Sequence, residues 1–279
     1  MYQDILLHLD TYPDPTPIEA LPGLIDFCSM LGANVTAAVA QVTLPARSNS
    51  IAEGLLGLSE MAKGLELRCR KESDALLERF DQLATAAGLR HEASVIRVNA
   101  QFLAEEVARR ARTHDVAVVA RASNADGQRS IAEAVLFGAG RPVVLLPITG
   151  ERSGRGLKRV AVAWDGSRSA ARAVADAMPL LTAADAVDIV SVTSDKPKPG
   201  AATVAELVSH LARHGVTAGA VTLDAASESA ASLIARHAGE RADLLVMGGY
   251  GHARMLEFVL GGVTETILSD PPTPVFLSH

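Results

Sequence analysis

The 279 residues, 48% of them hydrophobic, hold core-forming material for one large domain or for two of about 140 residues each. With 26 basic against 32 acidic residues and no Lys/Arg tract, the field of the whole protein opposes nucleic acid binding. No run of eighteen apolar residues occurs and the opening MYQDILLHLD has no basic region before its short apolar stretch, so the expectation is a cytoplasmic protein without membrane span or signal peptide.

In chain order, DILLHLD, ending at Asp10, and VTAAVAQV read as short buried strands. At 48–88 comes an excess in which LELRCRKESDALLERFDQL sets charged and apolar residues at a 3.6 period. It is read as a packing helix, with a lid or partner surface as the alternative. HEASVIRV, HDVAVVARAS and PVVLLP complete the first set of strands. The polar stretch TGERSGRGLK at 149–158 is a linker, after which the pattern starts again. RVAVAWD ends at Asp165 and is followed by the helix SRSAARAVADAMPLLTAA, the strand AVDIVSV and the helix TVAELVSHLARHG, stopped by Gly215. The strand TAGAVTL, the helix ESAASLIARHAG and the strand DLLVMGG come next, and a helix through VTETILSD leads into the strand PVFLSH. Cys28 and Cys69 lack CxxC spacing and read as buried packing, not as a disulfide, zinc or redox pair.

The two halves carry the same units in the same order. AEAVLFGAGRPVVLLP lies on TETILSDPPTPVFLSH without a gap, Glu133 on Glu265 and Pro142 on Pro274. Strands apolar on both faces and alternating with helices describe parallel sheets covered on two sides. The fold class is therefore α/β: two doubly wound, Rossmann-like domains in tandem, 1–148 and 159–279, each of about five strands. PVVLLP and PVFLSH are potential edges, blunted by pairing within the chain or across two chains.

GGYGHARMLEFVLGG at 248–262 spends five glycines in fifteen residues. In open α/β sheets ligands bind outside the carboxyl ends of the strands. Gly248 and Gly251 form the exit turn after Met247, and Gly261 and Gly262 open the helix that starts near Val263. The amides of Gly262, Val263 and Thr264 have no partner within that helix and lie at the positive end of its dipole, which makes an anion site suited to phosphate. The plain alternative is two ordinary glycine turns. Asp165, at a carboxyl strand end, can accept from a ribose hydroxyl or an adenine amino group, or can cap the helix that follows. His210 and His214 share a helix face but have no third metal ligand, and His252 and Arg254 stand beside the glycines. There is no P-loop, nucleophile and base pair, or carboxylate cluster, so no catalytic residue is assigned.

These residues resemble the ATP-binding members of the universal stress protein family, which carry G-x2-G-x9-G followed by Ser or Thr. Gly248, Gly251 and Gly261 match, with Val263 and Thr264 after them, and both halves resemble the family's domain. The resemblance implies ATP, or AMP or ADP, with or without magnesium, held by residues 159–279. It places Asp165 on the adenine or ribose beside Ala163, Val192 against the base and Met247 close to the ribose. It also implies an intrachain pseudo-dimer through the last strands, with a homodimer left open. The function implied is a nucleotide-dependent sensor or regulator in the stress response with an unnamed protein partner; a nucleotide-free scaffold and a slow ATPase are the alternatives. Gly262 departs from the pattern by lacking the hydroxyl. In the first half Ala120, Arg121 and Ser123 replace the glycines of the exit turn, and Arg129 and Ser130 replace Gly261 and Gly262. No nucleotide is expected there, with Arg129 filling the phosphate niche or binding a different acid.

Overall fold

The computed structural model describes residues 2–44, 58–122, 126–148, 156–193, 201–225, 228–249 and 262–279. The first half runs β1 (Asp4–Leu9), α1 (Leu21–Leu31), β2 (Asn34–Thr43), α2 (Leu58–Ala86), β3 (His91–Asn99), α3 (Leu103–Ala111), β4 (Val116–Arg121), α4 (Asp126–Gly138) and β5 (Val143–Pro147). The second runs β6 (Arg159–Ala163), α5 (Arg168–Ala183), β7 (Ala186–Thr193), α6 (Val204–Arg213), β8 (Ala218–Asp224), α7 (Ala230–Arg241), β9 (Leu244–Gly248), α8 (Gly262–Ser269) and β10 (Val275–Ser278).

The ten strands among the described residues join one sheet in the order β3-β2-β1-β4-β5-β10-β9-β6-β7-β8. Each half is a parallel, doubly wound α/β unit, and the second repeats the first in mirrored order. Continuous apolar runs explain the inner strands: every residue of β4 and four of the five in β9 are buried. The edge strands β3 and β8 are mostly exposed or half-buried, as expected where one side of a strand has no neighbour.

The halves meet where β10 pairs antiparallel with β5, Val275 on Leu145, Phe276 on Val144 and Leu277 on Val143. Because Pro142 lies on Pro274 in the repeat, Val144 and Phe276 are equivalent positions and the register is symmetric about them. Two apolar layers, one built around Leu9, Val144, Trp164 and Phe276 and the other around Val119, Leu136, Ile267 and Leu277, run through both halves. Tyr2 adds a bond across the halves, its hydroxyl donating to Asp176 O at 2.6 Å.

Local chemistry sets the helix ends. Thr203 and Glu206 form a reciprocal capping box at the start of α6, and Gly215 follows its end at φ 76°, as the sequence predicts. The long α2 is a packing helix over much of its length, burying Cys69, Leu76, Phe80 and Ala84, while Met61, Leu65 and Leu67 in its first turns stay exposed. No described helix is long and apolar enough to cross a membrane.

Both cysteines are free and buried. Burial pushes the Cys28 thiol up to about 12. The fold thus favours the protonated thiol, a contribution fully present below the ordinary thiol range and lost as pH rises from there toward the folded value. At mildly alkaline pH the native protein is expected to leave Cys28 unlabelled by a thiol reagent, whereas the denatured chain labels at both cysteines; native labelling at Cys28 would contradict this packing.

Candidate functional site

The carboxyl ends of β6 and β9 lie side by side, Ala163 paired with Met247. Beyond Ala163 the chain turns through Asp165, which is exposed. Its Oδ1 accepts from the Ser167 amide at 3.0 Å. Ser167, not Asp165, caps α5, its Oγ accepting from Ala170 N at 3.2 Å. The capping alternative for Asp165 is therefore displaced by two residues, and the carboxylate stands at the mouth of the turn.

Gly166 sits at φ 71°, and a Cβ there would lie 2.5 Å from Ala202 O. Residues 201–203 cross close over this turn, held also by Trp164 Nε1, which donates to Ala202 O at 3.0 Å. Trp164 is buried. Sequence reasoning missed this wall; an Asp-Gly-Ser turn at a strand end was its one visible sign. Val192, near the end of β7, is half-buried, and Met247 is buried.

The glycines divide by cause. A Cβ on Gly248 would lie 2.5 Å from Ser169 C and 2.6 Å from Ala170 N, so the first turn of α5 demands glycine there. Among the described residues, a Cβ on Gly262 would meet nothing within 4 Å. Gly262 and Val263 are exposed and half-buried respectively, and Thr264 is buried in the same first turn of α8. Gly251, Gly261, His252 and Arg254 lie outside the described residues.

The same address in the first half is closed. Asp10, the counterpart of Asp165, is 3% exposed and stands 3.0 Å from His8 Nε2, itself fully buried. Thr16 donates its amide to Asp10 O, and Thr11 Oγ1 donates to Ala40 O, so the segment after β1 folds back over the strand end. Pro13 abuts Gly127 at the start of α4, leaving 3.5 Å to a Cβ built there.

For Arg129 the sequence offers a vacant phosphate niche or another acid, and the structure gives it partners within the chain. Arg129 reaches the protein's own carboxylates, Glu133 at 3.1 Å and Glu265 at 3.6 Å, and donates to Ser269 Oγ at 3.2 Å. Arg121, at the place of Gly249, is 2% exposed and donates from Nε to Leu268 O and from Nη2 to Ser269 O, both at 2.9 Å. Burial pulls its guanidinium below the ordinary arginine value. The two arginines hold the carboxyl end of α8, where the helix dipole favours cations. Across the symmetric interface Gly249 leaves room for Leu136, whose Cδ2 would lie 2.6 Å from a Cβ on the glycine. Ser123 lies outside the described residues, and Ser130 is exposed.

His210 and His214 stack edge to face at 4.8 Å, and no group of three or more metal-ligating side chains occurs among the described residues.

Residues 156–279 match the model of the Universal stress protein family. This half of the chain is a universal stress protein domain. No curated protein matches the chain. Among solved structures, a universal stress protein from Archaeoglobus fulgidus is similar over 98% of this chain and 95% of its own, with a TM-score of 0.68 at 17% identity. A Pseudomonas aeruginosa protein described as functionally unknown covers 99% of this chain and 92% of its own, with a TM-score of 0.53 at 15% identity. At such identities the likeness concerns the fold, and it extends beyond the universal stress protein domain to the first half, whose topology is the same.

Proposed function

We propose that the universal stress protein domain binds ATP, or AMP or ADP, with or without magnesium, and that the chain acts as a nucleotide-dependent sensor or regulator in the stress response. The domain spans 159–279, is linked through 149–158 to a nucleotide-free domain at 1–148, and forms with it an intrachain pseudo-dimer in the cytoplasm. The reading rests on one contrast between the halves. Asp165 is exposed at the carboxyl end of β6, whereas Asp10 at the equivalent place is buried against His8.

In this reading Asp165 takes a ribose hydroxyl or the adenine amino group beside Ala163, and Val192 and Met247 flank the base and ribose. Gly248, Gly251 and Gly261 let phosphate oxygens approach the main chain, while the amides of Gly262, Val263 and Thr264 hold them. The first half supplies the scaffold that grips the far end of α8 and a surface for a protein partner.

Gly262→Ser restores the missing hydroxyl at a position where a Cβ meets no described atom within 4 Å. Calorimetric titration is expected to show ATP binding tightened by about 1–2 kcal/mol, roughly tenfold. A flat titration of the parent protein would dismiss the nucleotide reading. Unchanged or weaker affinity in the variant would remove the phosphates from the start of α8.

A further inference from the structure

We propose that the first turns of α2 are an interface through which two copies of this chain pair as a closed two-fold dimer. Three of the six exposed large hydrophobic side chains among the described residues lie in these turns: Met61, Leu65 and Leu67 are 62%, 41% and 54% exposed. The other three, Ile18, Met30 and Phe102, are scattered along the chain. These turns are tied to the sheet. Glu66 Oε1 accepts from Leu44 N at 2.7 Å, just past the end of β2, and Cys69 Sγ donates to Ala40 O at 3.2 Å. A cluster of apolar side chains on a helix end held in this way marks a contact with another molecule.

Gly64 points to what that molecule is. It lies within the helix, and among the described residues a Cβ there would meet nothing within 4 Å. One chain alone thus gains nothing from glycine at a position where alanine would favour the helix. At about 100° per residue, Gly64 stands about 120–180° around the helix from the buried Cys69, Ser73, Leu76 and Phe80, so it faces outward. Around it the sequence complements itself: Met61 and Leu67 lie three residues to either side, and Glu60 and Arg68 lie four. Those spacings put all five on one face.

A second α2 crossing antiparallel at Gly64 sets each Met61 on the other copy's Leu67 and each Glu60 on the other copy's Arg68. A parallel crossing would set Glu60 on Glu60 and Arg68 on Arg68, which like charges oppose. Glu60 is exposed and has no ion pair among the described residues. The Arg68 side chain is 61% exposed and only loosely engaged, 3.9 Å from Glu72 and beyond hydrogen-bond reach. A contact that is its own reciprocal closes at two copies. The strands that end the two halves are spent on each other, β10 on β5, and offer no rival edge. α2 packs on β2, six places from β6 in the sheet, so the interface is independent of the proposed nucleotide site.

Three helical turns cover less than the roughly 800 Å² per partner of a standard interface, so the dimer is a weak one, with a Kd expected between about 10 and 500 μM. Sedimentation equilibrium of the full chain, from about 5 μM to about 1 mM, is expected to give monomer and dimer with no larger species. Gly64→Gln fills the crossing with a good helix former; it should weaken association by about tenfold or more while the melting temperature holds or rises. Glu60→Arg and Arg68→Glu should each weaken association by about tenfold. An equimolar mixture of these two variants should associate as tightly as the parent, because one then presents only basic and the other only acidic side chains at the two positions. A monomer throughout, growth beyond the dimer, undiminished association in Gly64→Gln, or a mixture that associates no better than its components would each overturn the interface.

Discussion

Arg121→Ala is expected to lower the melting temperature of the whole chain by roughly 6–12 °C, from a loss of about 3 kcal/mol at about 2–4 °C per kcal/mol. The guanidinium is almost wholly buried and satisfies the last two carbonyls of α8, Leu268 O and Ser269 O. Removing it leaves those carbonyls facing a void in a dry interface, and it deprives Asp10 and Asp270 of a nearby cation, since both carboxylates raise the Arg121 value. Arg109→Ala is the control: its side chain is 59% exposed and pairs with Glu106 one turn away, so its loss is expected to shift the midpoint by no more than about 1–2 °C. Differential scanning calorimetry checks both. An Arg121→Ala midpoint as close to the parent as that of Arg109→Ala would mean that the arginine grip on α8 contributes nothing.

Arg121 also marks where the sequence stops being legible. Read along the chain, it is a glycine lost from an exit turn; its partners are 147 and 148 residues away, and no local pattern announces them. The strand order, by contrast, follows from residues that act locally. Continuous apolar runs force burial on both faces, and the gapless match of 132–147 with 264–279 carries over into a pairing symmetric about Val144 and Phe276. Asp10 and Asp165 look alike in sequence, each closing an apolar strand. What separates them is the segment after β1, which folds over Asp10, while the segment after β6 turns into α5 and leaves Asp165 at the surface. That difference is tertiary and has no signature in the two strands themselves. The glycine stretch was legible as a place of close approach, but its reason is mixed: at Gly248 the neighbour is the protein's own helix.

Gly248→Ala and Gly262→Ala are therefore expected to part company. At Gly248 the new methyl falls 2.5–2.6 Å from the backbone of Ser169 and Ala170, and no rotation of a side chain relieves a clash with main chain. Either α5 must shift from β9 or β9 from its partners β6 and β10, and overpacking of this kind costs about 1–3 kcal/mol, roughly 2–12 °C in the midpoint. At Gly262 the methyl meets no described atom within 4 Å at the start of α8, where alanine is a better helix former than glycine, so stability is expected to hold or rise by up to about 1 kcal/mol. Thermal unfolding of the two variants separates the packing glycine from the open one. Equal destabilisation by both would mean that Gly262 is also held by contact, and an open approach to the amides of α8 would lose its basis; a stable Gly248→Ala would instead mean that α5 does not bear on the end of β9, and the wall behind Asp165 would have to be redrawn.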